Sequence, residues 1–193
     1  GDLLISGRSV VVFVLPRLLI PVESTPGETR VAATPDTVKK FLSFGCDVSV
    51  ERGAGTTSGY LDQAYADQGA QLIDPGDAAG WSQADIFLCV QPPSAASLAR
   101  LRQGALVVGL LSPYANEELT ASLKRGALSA MALELLPRIS RAQSADALSS
   151  QANIAGYKSV LLASAALDRY FPMLMTAAGT VQPLSLIHIS EPT

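Results

Sequence analysis

Short apolar runs alternate with amphipathic segments along most of this chain. The apolar runs are bounded by glycine, proline or polar residues, which is typical of strands in an α/β protein. The predicted strands are 18–22, 46–51, 70–73, 86–90, 105–111 and 128–133. Between them, helical periodicity and helix-ending glycines predict helices at 35–44, 62–68, 94–101 and 116–124.

The helix at 35–44 has clear start and stop signals. Thr34 is a good N-cap, Pro35 suits the first helical position, and Gly45 follows the last helical residue. Strands that alternate with helices at this spacing form right-handed βαβ units. The pattern therefore predicts an α/β fold of three layers, with a mostly parallel, flavodoxin-like or Rossmann-like sheet and helices on both faces.

The stretch 136–158 has a different pattern. Ser140 and Gln143 form a capping-box motif, which predicts a helix that starts just after Ser140. Residues 160–170 then form a second helix, or a continuation broken at Gly156. The predicted helix combines a narrow seam of small apolar residues, which would let it approach a sheet, with short polar side chains on the opposite side. The seam is Ala145, Leu148, Ala152 and Ala155; the polar side is Gln143, Asp146, Ser149, Ser150 and Asn153.

That polar side has two interpretations. It is either an ordinary solvated face or the wall of a cleft that binds a polar ligand through hydrogen bonds. An ordinary solvated face would favour lysine and glutamate, and this one carries almost no long charged side chains. Arg138 and Arg141 lie at its start, where the chain arrives from the strand predicted at 128–133.

Composition excludes several classes of protein. Of the 193 residues, 48% are hydrophobic and 16% are charged, which is typical of a well-buried globular domain. A formal charge of −3 without a Lys/Arg cluster argues against nucleic-acid binding. Cys46 and Cys89 form no close-spaced redox or metal motif, and we predict that Cys89 is a small buried hydrophobe. His188 is the only histidine, so we predict no metal site and no histidine catalysis.

The glycine-rich segment 53–59 is similar to a dinucleotide-binding loop, with Asp74 at a suitable distance downstream to bind a ribose. A phosphate loop requires a helix that opens directly on the glycine turn, so that its N-terminal amides meet the pyrophosphate. Here the glycines are spread over the whole segment. The pattern therefore favours a structural loop.

Three runs carry a family resemblance. They are PRISRAQSADALSSQANIAGYK at 137–158, FPMLMTAAGTV at 171–181 and PVESTPGETRVAATP at 21–35. Together they closely resemble the NAD(H)-binding alpha subunit of the proton-translocating NAD(P) transhydrogenases, over roughly residues 18–181. The related N-terminal domain of alanine dehydrogenase shares the amino-terminal portion of this pattern.

The resemblance implies hydride transfer from NADH to NADP⁺ coupled to proton translocation. It implies NAD(H) in this subunit, with NADP(H) on a partner domain. The other expected partners are a membrane-spanning domain and a second copy of the NAD-binding component, as a homodimer. The expected location is the cytoplasmic side of a bacterial inner membrane, or the matrix side of a mitochondrial one. Hydride transfer needs two aligned nicotinamides and excluded water rather than a nucleophile or metal, so the absence of a catalytic triad is expected.

The resemblance also implies the site residues. Arg138, Asp146 and Ser149 would contact or position the nicotinamide of NAD(H), and Asp146 would orient either Arg138 or a carboxamide. Gln143 would bind the same site and reach towards the NADP(H) of the partner domain. Gln143 and Asp146 are the catalytic candidates.

The resemblance divides the chain into four segments. Residues 1–17 match nothing, 18–158 form the α/β domain, 159–181 connect it to an expected second NAD-binding Rossmann subdomain, and 182–193 again match nothing. No glycine-rich phosphate loop occurs in 182–193. We therefore expect this chain to be a fragment that lacks the second subdomain, binds NADH weakly and is inactive alone.

Alanine dehydrogenase is the alternative. Arg30 matches its arginine that binds the substrate carboxylate, although Arg30 and Glu28 are equally compatible with a surface salt bridge. Gln91 and Ser112 occupy the positions of its lysine and histidine. Without a cation and a proton-transfer group at these positions, amino-acid oxidation is disfavoured. A third interpretation is an isolated half-domain that only binds or has a structural role.

Overall fold

The structure, a computed structural model, describes residues 15–137, 139–168, 171 and 173–182. It contains two compact units that divide between Ala145 and Asp146. The predicted boundary between 158 and 159 lies inside a helix of the second unit. We describe each unit by itself.

The first unit is built on a six-stranded parallel sheet with the order β3-β2-β1-β4-β5-β6. This confirms the predicted α/β fold, and the order is that of a Rossmann sheet. The strands are β1 (Arg17–Ile20), β2 (Asp47–Glu51), β3 (Gln71–Ile73), β4 (Ile86–Leu88), β5 (Leu106–Gly109) and β6 (Ser129–Ala132).

Short helices connect these strands. They are α1 (Pro35–Ser43), α2 (Asp62–Asp67), α3 (Ala78–Gln83), α4 (Ala95–Leu98) and α5 (Glu117–Arg125), with 3₁₀ helices at Thr56–Ser58, Leu133–Leu135 and Ser140–Ala145. Thr34 caps α1 as predicted, because its side chain accepts a hydrogen bond from the Thr37 N–H. The sequence pattern missed α3, which is short and contains Gly80.

Each face of the sheet has its own hydrophobic core, because successive side chains of a strand point to opposite faces. Leu18 and Ile20 contribute to the core that contains Val38 of α1 and Tyr65 of α2. Leu19 points the other way. It contributes to a second core whose helical members are Trp81, Leu98 and Leu119, from α3, α4 and α5. The sheet is therefore covered on both faces, which is the predicted three-layer arrangement.

The second unit contains α6 (Ala147–Ala166) and an antiparallel hairpin of β7 (Leu174–Thr176) and β8 (Gly179–Val181). Two helix predictions are wrong here. The capping box at Ser140 starts only a 3₁₀ helix, and Asp146 is the true N-cap of α6, since its carboxylate accepts from the Ser149 N–H at 2.9 Å. The helix also continues through Gly156, because an isolated glycine weakens a helix without having to end it.

The predicted apolar seam is not buried either. No residue of α6 is buried, and Leu148 is 39% exposed. Large apolar side chains are instead distributed around the helix, at positions such as Ile154, Tyr157 and Leu162. The predicted seam is therefore exposed in this structure, like the rest of the helix. Among the described residues, no helix combines the length and apolar character needed to cross a bilayer.

Candidate functional site

The strand order identifies where a ligand cleft is expected. In a doubly wound sheet, a crevice opens at the carboxyl ends of the two strands from which the connections run in opposite directions. Here these strands are β1 and β4, which are neighbours in the middle of the sheet. The segments that follow them, 21–30 and 89–93, therefore form the sides of this crevice.

Glu23 joins the two sides. Its carboxylate accepts hydrogen bonds from the backbone N–H groups of Val90, at 2.5 Å, and Gln91, at 3.2 Å. Burial raises the pKa of Glu23, and the two backbone donors oppose that shift. The carboxylate of Glu23 thus holds the β1 and β4 loops together across the crevice.

Glu28, Arg30 and Gln91 form a second connection. The Arg30 guanidinium donates through Nε to Glu28 Oε1 at 2.8 Å and through Nη2 to Glu28 Oε2 at 2.6 Å. The Gln91 amide nitrogen donates to Glu28 Oε2 at 2.8 Å. The hydrogen bond from Arg30 is the main cause that lowers the pKa of Glu28 to about 2. Arg30 therefore binds a carboxylate of its own chain. Of the two roles considered for Arg30, substrate binding and a salt bridge with Glu28, the salt bridge is the one present in this structure.

A cavity of about 180 Å³ lies behind these loops. Arg100 stacks on the Trp81 ring, with 3.9 Å between its guanidinium carbon and the ring centre. Glu51 is buried there, 3% exposed, and its carboxylate accepts from the backbone N–H of Val22 and Gly76 and from Trp81 Nε1, at 2.7–2.8 Å. These bonds tie the loops after β1 and β3 to α3, so Glu51 organises this end of the sheet.

Glu134 makes a comparable contact at the end of β5. Its carboxylate accepts from the Leu111 N–H at 2.9 and 3.2 Å and from the Ser112 N–H. Ser112 has a φ of +46°, in the left-handed region that is uncommon for residues other than glycine. Glu134 therefore holds an unusual turn at the carboxyl edge of the sheet.

The predicted nicotinamide-site residues are divided between the two units. Gln143 is exposed on the 3₁₀ helix Ser140–Ala145 of the first unit. Asp146 and Ser149 lie at the start of α6 in the second unit, where Ser149 Oγ donates to Asp146 Oδ2 at 2.6 Å. Arg138 lies outside the described residues. The structure thus brings Asp146 and Ser149 together on one exposed helical turn.

The glycine-rich segment 53–59 forms a structural loop, as the pattern favoured. The Gly53 N–H donates to Asp62 at 2.8 Å, and a Cβ on Gly55 would lie 2.7 Å from the Tyr65 side chain. Helix α2 begins only at Asp62, beyond the glycines. Asp74 forms an exposed ion pair with Arg52 at 3.3 Å. This loop serves packing, and its amides do not open a helix towards a phosphate.

Comparison with known protein families matches residues 19–155 to the family described as alanine dehydrogenase/PNT, N-terminal domain. This match covers more than half of the chain. The chain belongs to this family. The resemblance drawn from the sequence motifs is thereby confirmed at the level of the family.

Transhydrogenase members of the family match most of the chain. An NAD(P) transhydrogenase alpha-subunit protein of Rhodospirillum rubrum is 42% identical over 176 residues, which are 89% of this chain and 46% of that protein. The crystal structure of transhydrogenase from Sinorhizobium meliloti superposes with a TM-score of 0.79 at 47% identity, covering 86% of this chain and 49% of that one. The chain therefore spans less than half of the Rhodospirillum protein.

Alanine dehydrogenases match a shorter stretch. The enzyme of Mycobacterium tuberculosis is 35% identical over 118 residues, which are 61% of this chain and 32% of that protein. A solved L-alanine dehydrogenase superposes with a TM-score of 0.57 at 31% identity and also covers 61% of this chain. The similarity to transhydrogenases is thus higher in identity and extends over more of the chain.

Sequence reasoning missed several residues that organise this family member. Glu23, Glu51 and Glu134 each bind backbone N–H groups that are distant in the chain. The only local signal was a glutamate at or just after an apolar strand. Among the described residues, no group of three or more histidine, cysteine or acidic side chains could hold a metal ion.

Proposed function

We propose that this chain belongs to the NAD(H)-binding subunit of a proton-translocating transhydrogenase, which transfers hydride from NADH to NADP⁺. The observation that carries the proposal is the 42% identity to a transhydrogenase alpha subunit over 89% of this chain, a match that extends through the motif at 137–158. Under this proposal, Asp146 and Ser149 bind the nicotinamide end of NAD(H). Gln143 faces the NADP(H) bound on the partner domain.

The first turn of α6 has groups that fit a nicotinamide carboxamide. The Asp146 carboxylate already orders Ser149 through the backbone N–H at 2.9 Å and the hydroxyl at 2.6 Å. A carboxylate offers about four acceptor positions, so this geometry is compatible with a further donor from an amide. Arg138 would supply the donor for the carboxamide oxygen, as the family resemblance implies. The exposed turn is therefore suited to recognise a polar planar group.

Bound NADH supplies the hydride, and the chain contributes positioning. Hydride transfer between two nicotinamides depends on the distance and alignment of two carbons and on the exclusion of water. Asp146 would fix the orientation of the carboxamide and hence of the ring. Gln143 would set the approach of the second dinucleotide. No residue of the chain has to exchange a proton with the substrate in this step.

Partners and location follow from the proposed function. The chain would act with an NADP(H)-binding domain and a membrane-spanning domain, and as a homodimer of the NAD-binding component. The subunit would lie on the cytoplasmic side of a bacterial inner membrane, or on the matrix side in mitochondria. These features rest on the similarity to transhydrogenase subunits.

Amino-acid oxidation is the competing activity, and the geometry disfavours it. The Arg30 guanidinium binds Glu28 through two nitrogens, and the neutral amide of Gln91 donates to the same carboxylate. A substrate carboxylate at Arg30 would therefore have to bind next to the negatively charged Glu28. Ser112, the counterpart of the alanine dehydrogenase histidine, has no group that titrates near neutral pH to deprotonate an amine.

The test is hydride transfer in the complete transhydrogenase assembly that contains this sequence. Wild type should reduce an NADP⁺ analogue with NADH and should not oxidise alanine. Asp146→Asn and Gln143→Ala should each slow transfer by about 100-fold, the loss expected from a misplacement of about 1 Å. Ser159→Ala, on the exposed surface of α6 and outside the motif at 137–158, is the matched control and should retain the wild-type rate. Alanine oxidation without transhydrogenation would overturn the proposal.

A further inference from the structure

The ends of β5 and β6 are joined beyond their last backbone pair. The two strands pair in parallel as far as Gly109 and Ala132. Two residues further along each strand, the Leu111 N–H donates to both carboxylate oxygens of Glu134, at 2.9 and 3.2 Å, and the Ser112 N–H donates to Oε1. The Glu134 side chain thus continues the connection where the backbone ladder stops.

This contact holds a strained turn. Ser112 has a φ of +46°, which an L-residue with a side chain adopts rarely. Consecutive backbone N–H groups that converge on one point form a concave anion site, and a carboxylate placed there makes charge-assisted hydrogen bonds. Leu111 is buried and Glu134 is half-buried, so water competes only partly for these bonds. The turn is therefore fixed by Glu134 rather than by its own conformational preference.

Glu134 also begins the segment that leads to Gln143. Before the 3₁₀ helix Ser140–Ala145, the Leu136 N–H donates to Leu133 O at 3.3 Å. At the start of that helix, the Ala142 N–H donates to Ile139 O at 2.9 Å. In the described part of this segment, residues 136–137 and 139–145, these bonds are local, and the 3₁₀ helix contains no buried residue. Among the described residues just before Gln143, Glu134 is the one whose side chain is seen to bind the backbone beyond a neighbouring strand.

We propose that Glu134 is a positioning residue for the nicotinamide site. By binding the Leu111 and Ser112 amides, it fixes the start of the segment 136–145 and hence the place of Gln143. This inference rests on the proposed function, in which Gln143 faces the second dinucleotide. In this role Glu134 acts through Gln143 rather than through a contact with either nucleotide. Its loss should misplace Gln143 and slow hydride transfer, with the NAD(H)-binding residues Asp146 and Ser149 left chemically intact.

The experiment measures kcat, the KM for NADH and the thermal midpoint of the complete assembly. We compare Glu134→Ala, Glu134→Gln and the matched control Glu117→Gln, an exposed carboxylate on α5. Glu134→Ala should lower kcat by about 100-fold, as expected for a displacement of about 1 Å, with less than about a threefold change in KM. Glu134→Gln should lose less, because its amide oxygen still accepts one N–H. Glu117→Gln should behave as wild type.

Further readouts separate positioning from loss of stability. Hydrogen exchange of the Leu111 and Ser112 amides should accelerate in Glu134→Ala, and kcat should stay low after osmolytes restore the wild-type thermal midpoint. Recovery of kcat with the midpoint would overturn the inference. So would an unchanged kcat in Glu134→Ala while wild type is active, and in that case the proposed function would stand. Wild-type assembly that transfers no hydride would overturn the proposed function and, with it, this role of Glu134.

Discussion

Strand β1 and helix α6 are both rich in apolar residues, and only β1 buries them. Leu18, Leu19 and Ile20 are 0–3% exposed, because helices cover both faces of the sheet. In α6, by contrast, Ile154 is 61% exposed and Leu162 is 58% exposed. Apolar character alone therefore does not produce a core. A residue gains stability from burial only when a second layer excludes water from it.

The same contrast applies to polar contacts. Glu51 at the end of β2 is buried and binds three N–H donors from distant regions of the chain. Asp146 at the start of α6 accepts from the N–H and the hydroxyl of its neighbour Ser149, on an exposed turn. A buried carboxylate connects elements of the tertiary structure, whereas an exposed cap stabilises a single helix. Four predictions test how far this difference extends.

The largest expected effect concerns the core of the sheet unit. Ile20→Ala removes a side chain that is 0% exposed, and we expect a loss of about 2–5 kcal/mol in the free energy of unfolding. Ile154→Ala on α6 is the matched control, and it should change that free energy by less than about 0.5 kcal/mol. Urea denaturation followed by the fluorescence of Trp81 measures both. Similar losses in the two variants would contradict the contrast between the units.

The next effect compares the two carboxylates. Glu51→Ala leaves three N–H donors without their acceptor, including Nε1 of the buried Trp81, and we expect a loss of about 3 kcal/mol. Asp146→Ala removes an N-cap and should cost about 1 kcal/mol, confined to α6. Denaturation followed by far-UV circular dichroism, which reports α6 as well as the sheet unit, measures the two losses. A red shift of Trp81 emission should accompany Glu51→Ala alone, because Trp81 Nε1 donates to Glu51. A red shift in both variants would show that the units are coupled.

A smaller effect depends on pH. The contact with Arg30 is the main reason why the pKa of Glu28 is about 2. The contribution of Glu28 to the free energy of unfolding is therefore fully present above the ordinary glutamate pKa of about 4.3, and it is lost as pH falls towards 2. Glu28→Gln should therefore flatten the dependence of unfolding free energy on pH between about 4.5 and 2. Burial raises the pKa of Glu23, so its contribution has the opposite sign and weakens as pH rises.

Chemical denaturation across about pH 2–7 measures this dependence, with Glu23→Gln as the comparison of opposite sign. The difference in stability between Glu23→Gln and wild type should shift in favour of the variant as pH rises, because the variant cannot acquire a partly buried charge. An unaltered acid limb in Glu28→Gln would show that the contact with Arg30 does not persist in solution.

The smallest effect concerns α6. Gly156 lies inside the helix, and a Cβ built on it meets no atom within 4 Å. Gly156→Ala should therefore stabilise α6 by about 0.5–1 kcal/mol through the unfolded state and helix propensity. Amide hydrogen exchange should slow in 150–162 and remain unchanged in β1 and β4. Slower exchange in the sheet would indicate that α6 and the sheet unfold together.

Local patterns determined much of the fold. Thr34 and Pro35 start α1, and the alternation of apolar runs with amphipathic segments predicts the parallel sheet, because these signals act between near neighbours in the chain. Two residues before α6, Ser140 and Asp146, are both suitable N-caps. The sequence pattern favoured Ser140, whereas the structure has Asp146 as the N-cap. Helix α3 was not predicted, because it is short and contains Gly80. A Cβ at Gly80 would lie 2.6 Å from the Ile73 side chain. Only packing explains that glycine.

The arrangement at the carboxyl edge was decided by the tertiary structure. Motif similarity identified Gln143, Asp146 and Ser149, whose roles remain predictions. No local pattern indicated that Glu51 would meet Val22 and Trp81, or that Glu134 would hold Leu111 and Ser112. A parallel sheet brings the ends of distant strands to one edge. A carboxylate at that edge can bind backbone N–H groups that lie beyond the end of the strand pairing and have no partner in the sheet. The sequence by itself determined the strands of the sheet and most of the helices that cover it, and the sheet order decided which side chains meet.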